Sequence, residues 1–172
     1  DVMLQQLNWK QNEANVFLCN ATTGDSKKIY EEKSDTWIDI IPTQGNGWRW
    51  INGGKEFLWI SEKDGWRHLY RIAANGEKET VITKGDYDMI SLKAVDEKSG
   101  YVYFMASPTN ATQQYLFRTL LNGKGKLELL SPGDQQGTHS YTLSPTGQYG
   151  NHNFSNHKNQ RVAEWVSFPG HK

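Results

Sequence analysis

Two histidines are the first side chains in this 172-residue chain whose spacing could support chemistry. His152 and His157 flank the segment 153–156, and imidazole nitrogens are common zinc ligands. No cluster of Asp, Glu or Cys accompanies them at a metal-ligand spacing, and the single cysteine, Cys19, excludes a Cys-based zinc site. The pattern favours a polar surface turn, and we predict no metal ligand and no cofactor.

Two adjacent carboxylates, Glu31 and Glu32, could clamp an ammonium group. They lie in a polar segment next to a turn, where an outer strand is expected. This position favours a solvated pair, and we assign the two residues no role in binding.

Tryptophans beside charged residues could form a surface that stacks on sugars. Trp48 and Trp50 flank Arg49, and Trp66 follows shortly after Asp64. Aromatic side chains also pack between sheets, where they bury a large apolar area. Packing is the favoured interpretation, and sugar binding remains the alternative.

A nucleophile for acyl transfer is missing from the sequence. A serine hydrolase of the α/β type needs the motif Gly-x-Ser-x-Gly, because its strained strand-to-helix turn exposes the serine hydroxyl. None of the serines in the chain has that context. We therefore predict no catalytic residue and no hydrolysis by this chain alone.

The charge and hydropathy patterns exclude two further classes of protein. Lys plus Arg and Asp plus Glu both number 19 and are interspersed, whereas nucleic-acid-binding proteins carry a basic stripe. The sequence contains no apolar run long enough to cross a bilayer and no signal peptide at its start. We expect the chain to be a fragment, since its last residues still have a strand-and-turn pattern.

A repeat determines the expected fold. The segment 24–40 aligns without a gap on 76–92, at an offset of 52, and 69–76 corresponds to 116–123 at an offset of 47. Each unit contains four short segments rich in aromatic and β-branched residues. Asn75-Gly76 and Asn122-Gly123 are typical of type I′ hairpins. Four strands in 45 to 50 residues is the period of a β-propeller blade.

The repeat gives a strand prediction for each blade. We expect inner strands at 37–41, 89–95 and 141–144, second strands at 56–61, 101–106 and 149–155, third strands at 68–73, 115–121 and 161–168, and outer strands at 28–32, 79–84 and 127–131. No window has helical periodicity. A β-sandwich is the alternative, but it does not require a self-match.

The predicted fold class is all-β, a partial β-propeller of about three to four four-stranded antiparallel blades. The whole chain, 1–172, is assigned to one propeller domain. Its predicted divisions are a partial blade at 1–36, blades at 37–88 and 89–139, and a partial blade at 140–172.

The repeat units also carry a family resemblance. The residues concerned are Trp9, Ser34–Trp37, Phe57–Tyr70, Ile82–Gly85, Tyr101–Phe104, Tyr115–Arg118 and Tyr141–Ser144. Together they resemble the N-terminal propeller of dipeptidyl peptidase IV enzymes, in the prolyl oligopeptidase clan of serine peptidases. The segment from Ser61 to Tyr70 is the most specific part of the resemblance.

The resemblance implies a function for the parent protein. Such enzymes are extracytoplasmic, periplasmic or cell-surface exopeptidases that remove N-terminal dipeptides with proline or alanine in second place. Their propeller gates access of the peptide substrate to a separate C-terminal α/β-hydrolase domain, and the parent is expected to be a homodimer. The glutamates that bind the substrate's amino terminus in this family lie upstream of the matching region, so Glu31 and Glu32 do not correspond to them.

The resemblance also points to one pair of candidate substrate-binding residues. The family often places an aromatic residue and an arginine beside the substrate pocket after the position of Trp37, where this chain has Ile40 and Ile41. Neither residue is aromatic or an arginine, so the family feature is absent here or displaced by a register shift, and a buried position on an inner strand is the favoured interpretation of the pair. The alternative function is a free-standing propeller-type module that binds protein or glycan through Trp48, Trp50 and Trp66.

Overall fold

The computed structural model describes residues 1–40 and 48–172. Within these ranges the chain forms strands and one 3-10 turn at Asn52–Gly54, with no α-helix, as the missing helical periodicity predicts. The strands are β1 Val2–Leu7, β2 Glu13–Cys19, β3 Ser26–Lys33, β4 Trp48–Ile51, β5 Glu56–Ser61, β6 His68–Ala73, β7 Glu79–Val81, β8 Met89–Asp96, β9 Tyr101–Ala106, β10 Tyr115–Leu120, β11 Glu128–Leu129, β12 Thr138–Leu143, β13 Tyr149–Ser155 and β14 Val162–Ser167.

The strands form four antiparallel sheets in which neighbours in sequence are neighbours in the sheet. Their orders are β1-β2-β3, β4-β5-β6-β7, β8-β9-β10-β11 and β12-β13-β14. Short turns make this meander possible, because antiparallel strands need only a hairpin between them. The prediction of recurring antiparallel sheets of up to four strands is confirmed.

One predicted inner strand is wrong. Residues 37–40 are not in a strand, and β4 begins only at Trp48; Ile41 lies outside the described residues. The backbone N–H of Ile38 donates to the carbonyl of Gln11 at 2.8 Å, so this segment is attached to the turn between β1 and β2. The gapless alignment fails here because β4, the first strand of its sheet, lies at Trp48–Ile51 and not at the residues aligned with β8.

The hairpins at the two Asn-Gly pairs differ from the predicted type I′. Gly76 and Gly123 have φ of 78° and 72°, but their asparagines do not have positive φ. The N–H of Gly76 donates to the carbonyl of Ala73, and that of Gly123 to Leu120. This is the pattern of a type I turn followed by a left-handed glycine. The glycine, not the Asn-Gly pair, supplies the required conformation.

Residues 1–80 form one compact unit, in which β3 packs against β5. The Tyr30 ring meets the rings of Phe57 and Trp59 edge to face, with centroids 6.1 and 5.6 Å apart. Beside them the buried carboxylate of Glu32 accepts hydrogen bonds from the indole Nε1 of Trp59 at 2.6 Å and the hydroxyl of Ser61 at 2.5 Å. Along β5 the contacts with β3 are therefore apolar at Phe57, mixed at Trp59 and polar at Ser61.

Residues 81–172 form the second compact unit. Its core joins the sheets β8–β11 and β12–β14 through the buried residues Ala94, Tyr103, Met105, Leu116, Leu130, Tyr141 and Val166. At one edge the side-chain amide of Gln114 donates to the carbonyl of His139 at 2.9 Å. Strands β5 and β9 each contain five consecutive buried residues, as expected for middle strands covered on both faces.

The hairpin after β6 approaches the backbone of β3 closely at Gly76, and a substitution at this glycine tests the approach. A Cβ at this position would lie 1.8 Å from the backbone oxygen of Ile29, whereas a Cβ at Gly24, with a φ of 80°, meets nothing within 4 Å. We predict that Gly24→Ala lowers the free energy of unfolding by about 1 kcal/mol, the cost of the left-handed backbone alone. Gly76→Ala should cost ~3 kcal/mol or more, measured by urea unfolding. Equal losses for the two variants would contradict the close approach.

Glu32 gives a second stability prediction. Glu32→Gln removes the charge that strengthens the hydrogen bonds from Trp59 and Ser61. It also places the amide NH2 of the new glutamine against one of these two donors, where no hydrogen bond can form. We predict a loss of about 2–3 kcal/mol in the free energy of unfolding. The control is Glu31→Gln on the same strand, whose exposed ion pairs should leave the urea midpoint unchanged. A midpoint for Glu32→Gln equal to that of Glu31→Gln would refute the contribution of this carboxylate.

Candidate functional site

The candidate substrate-binding residue Ile40 lies on the surface. Its side chain is 45% exposed and its backbone is not in a strand, so the favoured interpretation, a buried inner-strand position, is wrong for Ile40. Its partner in the prediction, Ile41, lies outside the described residues. The structure therefore places one member of the predicted pair where a ligand could reach it.

The segment 37–40 is fixed by its two middle residues. Ile38 is buried, and the carboxylate of Asp39 lies 3.5 Å from the guanidinium of Arg67. The Nε of Arg67 also donates to Glu62 at 3.0 Å. Because Ile38 and Asp39 are fixed in this way, the side chains on either side of them face solvent.

Three exposed apolar side chains lie on the two segments that the Asp39–Arg67 ion pair joins. Two of them, Trp37 and Ile40, form what we call the 37–40 surface. The third, Trp66, precedes Arg67 on the other segment. These side chains leave apolar area open to solvent beside charged groups.

The predicted solvated pair of glutamates divides into two different residues. Glu31 is partly exposed and pairs with Lys28 and Lys33, and the hydrogen bonds from these two lysines lower the pKa of its carboxyl to about 2. Glu32 is only 7% exposed, so the prediction of a solvated residue is wrong for it. Each of the four carboxylate oxygens has a protein partner, which leaves none directed at an external ammonium group.

The tryptophans of the alternative sugar-binding surface are separated by the fold. Trp48 and Trp50 are half-buried in β4 and meet edge to face, with centroids 6.3 Å apart. Trp50 also packs on Phe57 at 5.6 Å. This supports packing as the role of these two rings, and of the three tryptophans only Trp66 is exposed.

The structure contains a polar cluster that the sequence analysis missed. His152 lies in β13 with no exposed surface, so the predicted surface turn is wrong for this residue, while His157 is exposed. The Nε2 of His152 lies 2.9 Å from Nδ1 of His139, and its Nδ1 lies 2.9 Å from the carboxylate of Glu164. The Nε2 of His139 in turn lies 2.8 Å from the carbonyl of Gln135.

Two further side chains complete this cluster. The hydroxyl of Tyr141 lies 3.0 Å from Nε2 of His171, and the ring of Tyr141 stacks on that of His152 with centroids 4.4 Å apart. Burial lowers the pKa of His139 and of His171. The same cause raises the pKa of the Tyr141 hydroxyl. These three groups are therefore neutral near pH 7.

Strand register brings the cluster together. Tyr141 pairs with His152 across β12 and β13, and His152 pairs with Glu164 across β13 and β14. The three residues form one rung of the sheet, although they are far apart in sequence. Spacing along the chain could not reveal this, but aligning the two predicted hairpins would have placed Glu164 beside His152.

Comparison with known proteins gives the context of these sites. The family model described as the dipeptidyl peptidase IV (DPP IV) N-terminal region matches residues 1–161. The curated dipeptidyl peptidase 4 of Arthroderma otae is 27% identical over 150 residues, which cover 86% of this chain and 19% of that protein. Dipeptidyl peptidase 4 of Trichophyton rubrum is 28% identical over 120 residues, or 67% of this chain and 15% of that protein. The chain thus spans less than a fifth of the length of these relatives.

A solved structure supports the same relationship at the level of fold. The crystal structure of Porphyromonas gingivalis dipeptidyl peptidase 4 superposes with a TM-score of 0.85 and 24% identity, over 99% of this chain and 23% of that one. This likeness confirms the predicted fold class, an all-β part of a β-propeller with antiparallel blades. Since the family model extends over nearly all of the sequence, the chain belongs to the dipeptidyl peptidase IV N-terminal region family.

Proposed function

We propose that this chain is the non-catalytic propeller portion of a dipeptidyl peptidase IV-like serine exopeptidase, which removes N-terminal dipeptides. The observation that carries the proposal is the family match over residues 1–161. In the parent the propeller would gate the access of peptides to a C-terminal α/β-hydrolase domain. The absence of a Gly-x-Ser-x-Gly motif in the sequence agrees with this division of labour.

The packing of the described residues suits a wall more than a reaction centre. The buried carboxylate of Glu32 is engaged by two donors from β5, and the guanidinium of Arg71 forms two hydrogen bonds to Glu56 within its own sheet. Polar groups that are committed to internal partners stabilise the sheets and are not free to bind a substrate. A rigid framework of this kind is what a gate requires.

The 37–40 surface is the part of the chain that we assign to the substrate. Ile40 supplies an exposed apolar side chain on a segment fixed by Ile38 and by the Asp39–Arg67 ion pair. We propose that Ile40, with Ile41, contacts an apolar side chain of the peptide at the position that the family resemblance indicates. The alternative function, a glycan- or protein-binding module, is less well supported because Trp48 and Trp50 pack within the protein.

The other features of the parent follow from the same proposal. They are a homodimeric assembly, a periplasmic or cell-surface location, and the division of one propeller domain at residues 36, 88 and 139. No helix in the described ranges has the length and apolarity to span a membrane.

The proposed activity is tested on the full-length protein that carries this chain. We expect it to release a chromogenic amine from Gly-Pro and Ala-Ala substrates, because the enzyme would recognise a free amino terminus two residues before the cleaved bond. The same substrates with an acetylated amino terminus should be cleaved at least 100-fold more slowly, a typical effect of removing a buried charged partner. Equal cleavage of free and acetylated substrates, or of neither, would rule out an exopeptidase of this class.

The role of Ile40 is tested by Ile40→Asp in the same protein. A charge in an apolar contact should raise KM for dipeptide substrates roughly tenfold and leave kcat within a factor of two. The control is Leu129→Asp, since Leu129 on β11 is also 45% exposed and lies outside the 37–40 surface. An unchanged KM for Ile40→Asp, or the same increase for Leu129→Asp, would show that Ile40 does not contact the substrate.

A further inference from the structure

If both imidazoles are neutral, the polar chain in the second unit has one hydrogen atom fewer than its links require. It contains three close links: the Gln135 carbonyl to His139, His139 to His152, and His152 to the Glu164 carboxylate. Two neutral imidazoles carry one N–H each, and the carbonyl and the carboxylate only accept hydrogen bonds. Two hydrogens cannot fill three links.

The order of the links shows where the deficit falls. The carbonyl of Gln135 accepts the N–H of His139 Nε2, so His139 Nδ1 is an acceptor. The N–H of His152 must then lie on Nε2, directed at His139. This leaves a lone pair on Nδ1 of His152, which lies 2.9 Å from a carboxylate oxygen of Glu164. Two acceptors at this distance repel each other unless a cation lies between them.

His171 supplies a third ligand at the same place. One donor atom each from His152, Glu164 and His171 lies within 4.8 Å of the others. The turn that carries His171 is closed by backbone hydrogen bonds between Ser167 and Lys172, and the Tyr141 hydroxyl holds its ring at Nε2. Two imidazoles and one carboxylate are a common zinc ligand set, and imidazole also suits other late transition metals.

The surroundings resemble those of a metal site in two respects. A metal-bound histidine usually donates its other ring N–H to a fixed acceptor, which orients the ring; here His152 donates to His139, which donates to Gln135. The side chain of His152 is buried, whereas that of Glu164 is 43% exposed. An ion can therefore enter from the side of Glu164. With three protein ligands, its fourth coordination position is open to water.

We propose that His152 Nδ1, the Glu164 carboxylate and a ring nitrogen of His171 bind one divalent transition-metal ion of the zinc class. The ion takes the place of the missing hydrogen between His152 and Glu164. It connects β13, β14 and the turn after β14, and thus stabilises this sheet and takes no part in peptide hydrolysis. The site is independent of the function proposed above.

The test uses the purified protein after treatment with a chelator. Titration with ZnCl2 at pH 7.5, followed by calorimetry, should give one bound equivalent and a rise in Tm of several degrees, since a ligand that binds only the folded state stabilises it. Glu164→Gln and His171→Ala should each weaken binding at least tenfold, the usual effect of losing a ligand. Co²⁺ should produce visible absorption bands that both variants lose.

Two matched variants control for nonspecific binding. Glu128→Gln alters a carboxylate with the same 43% exposure as Glu164, and His157→Ala removes an exposed histidine that follows β13. Both should bind zinc like the unmodified protein. Circular dichroism of every variant establishes that it is folded before titration.

The outcomes separate the two cations that could fill the gap. If the folded protein binds no zinc, or if Glu164→Gln and His171→Ala bind it as tightly as the controls, the metal assignment is wrong and the cation is a proton on His152. Because binding and Tm are measured without a peptide substrate, failure of the exopeptidase proposal would leave this result unaffected.

Discussion

The structure depends on a packing constraint: a sheet whose middle strand is apolar on both sides must be covered on both faces. Five successive residues of β5 and of β9 are buried, so neither strand has a face that could be left to solvent. A single antiparallel sheet normally keeps one face polar. Within each unit a second sheet covers one of these faces: β3 packs against β5, and the sheet β12–β14 packs against the sheet β8–β11.

Polar residues determine how neighbouring sheets are aligned within each unit. In the first unit the carboxylate of Glu32 reaches from β3 to Trp59 and Ser61 on β5. In the second unit Gln114 of the loop before β10 donates to the backbone of β12. Apolar contacts tolerate sliding, whereas a buried hydrogen bond has one favourable geometry. Such links therefore fix the register between sheets that hydrophobic packing brings together.

Much of the fold could be predicted from the sequence because its signals are local. The predicted bounds of β5, β6, β9 and β13 agree with the structure, since each strand is an apolar segment between turn residues. The inner strand before β5 could not be placed, because β4 lies at Trp48–Ile51, outside the residues that the repeat aligns with β8. The turn type at Asn75-Gly76 was wrong because two different turns use a left-handed glycine.

The polar sites were harder to predict, since they depend on partners that are distant in sequence. The sequence predicts that Glu32 is a solvent-exposed residue on an outer strand, and only its contact with the next sheet buries it. The sequence predicts that His152 lies in a polar turn, and only the pairing of β13 with β12 and β14 places Tyr141 and Glu164 beside it. Ile40 could be identified as a candidate through the family resemblance alone.

The two buried polar links differ in a way that decides which of them can hold an ion. Glu32 is an acceptor that faces two donors, an indole N–H and a hydroxyl, so its hydrogen bonds are complete without another charge. The chain through His139 and His152 begins and ends on acceptors, the Gln135 carbonyl and the Glu164 carboxylate. A chain of neutral imidazoles between two acceptors always has one donor too few. The first link is therefore closed by the protein alone, whereas the second requires a cation.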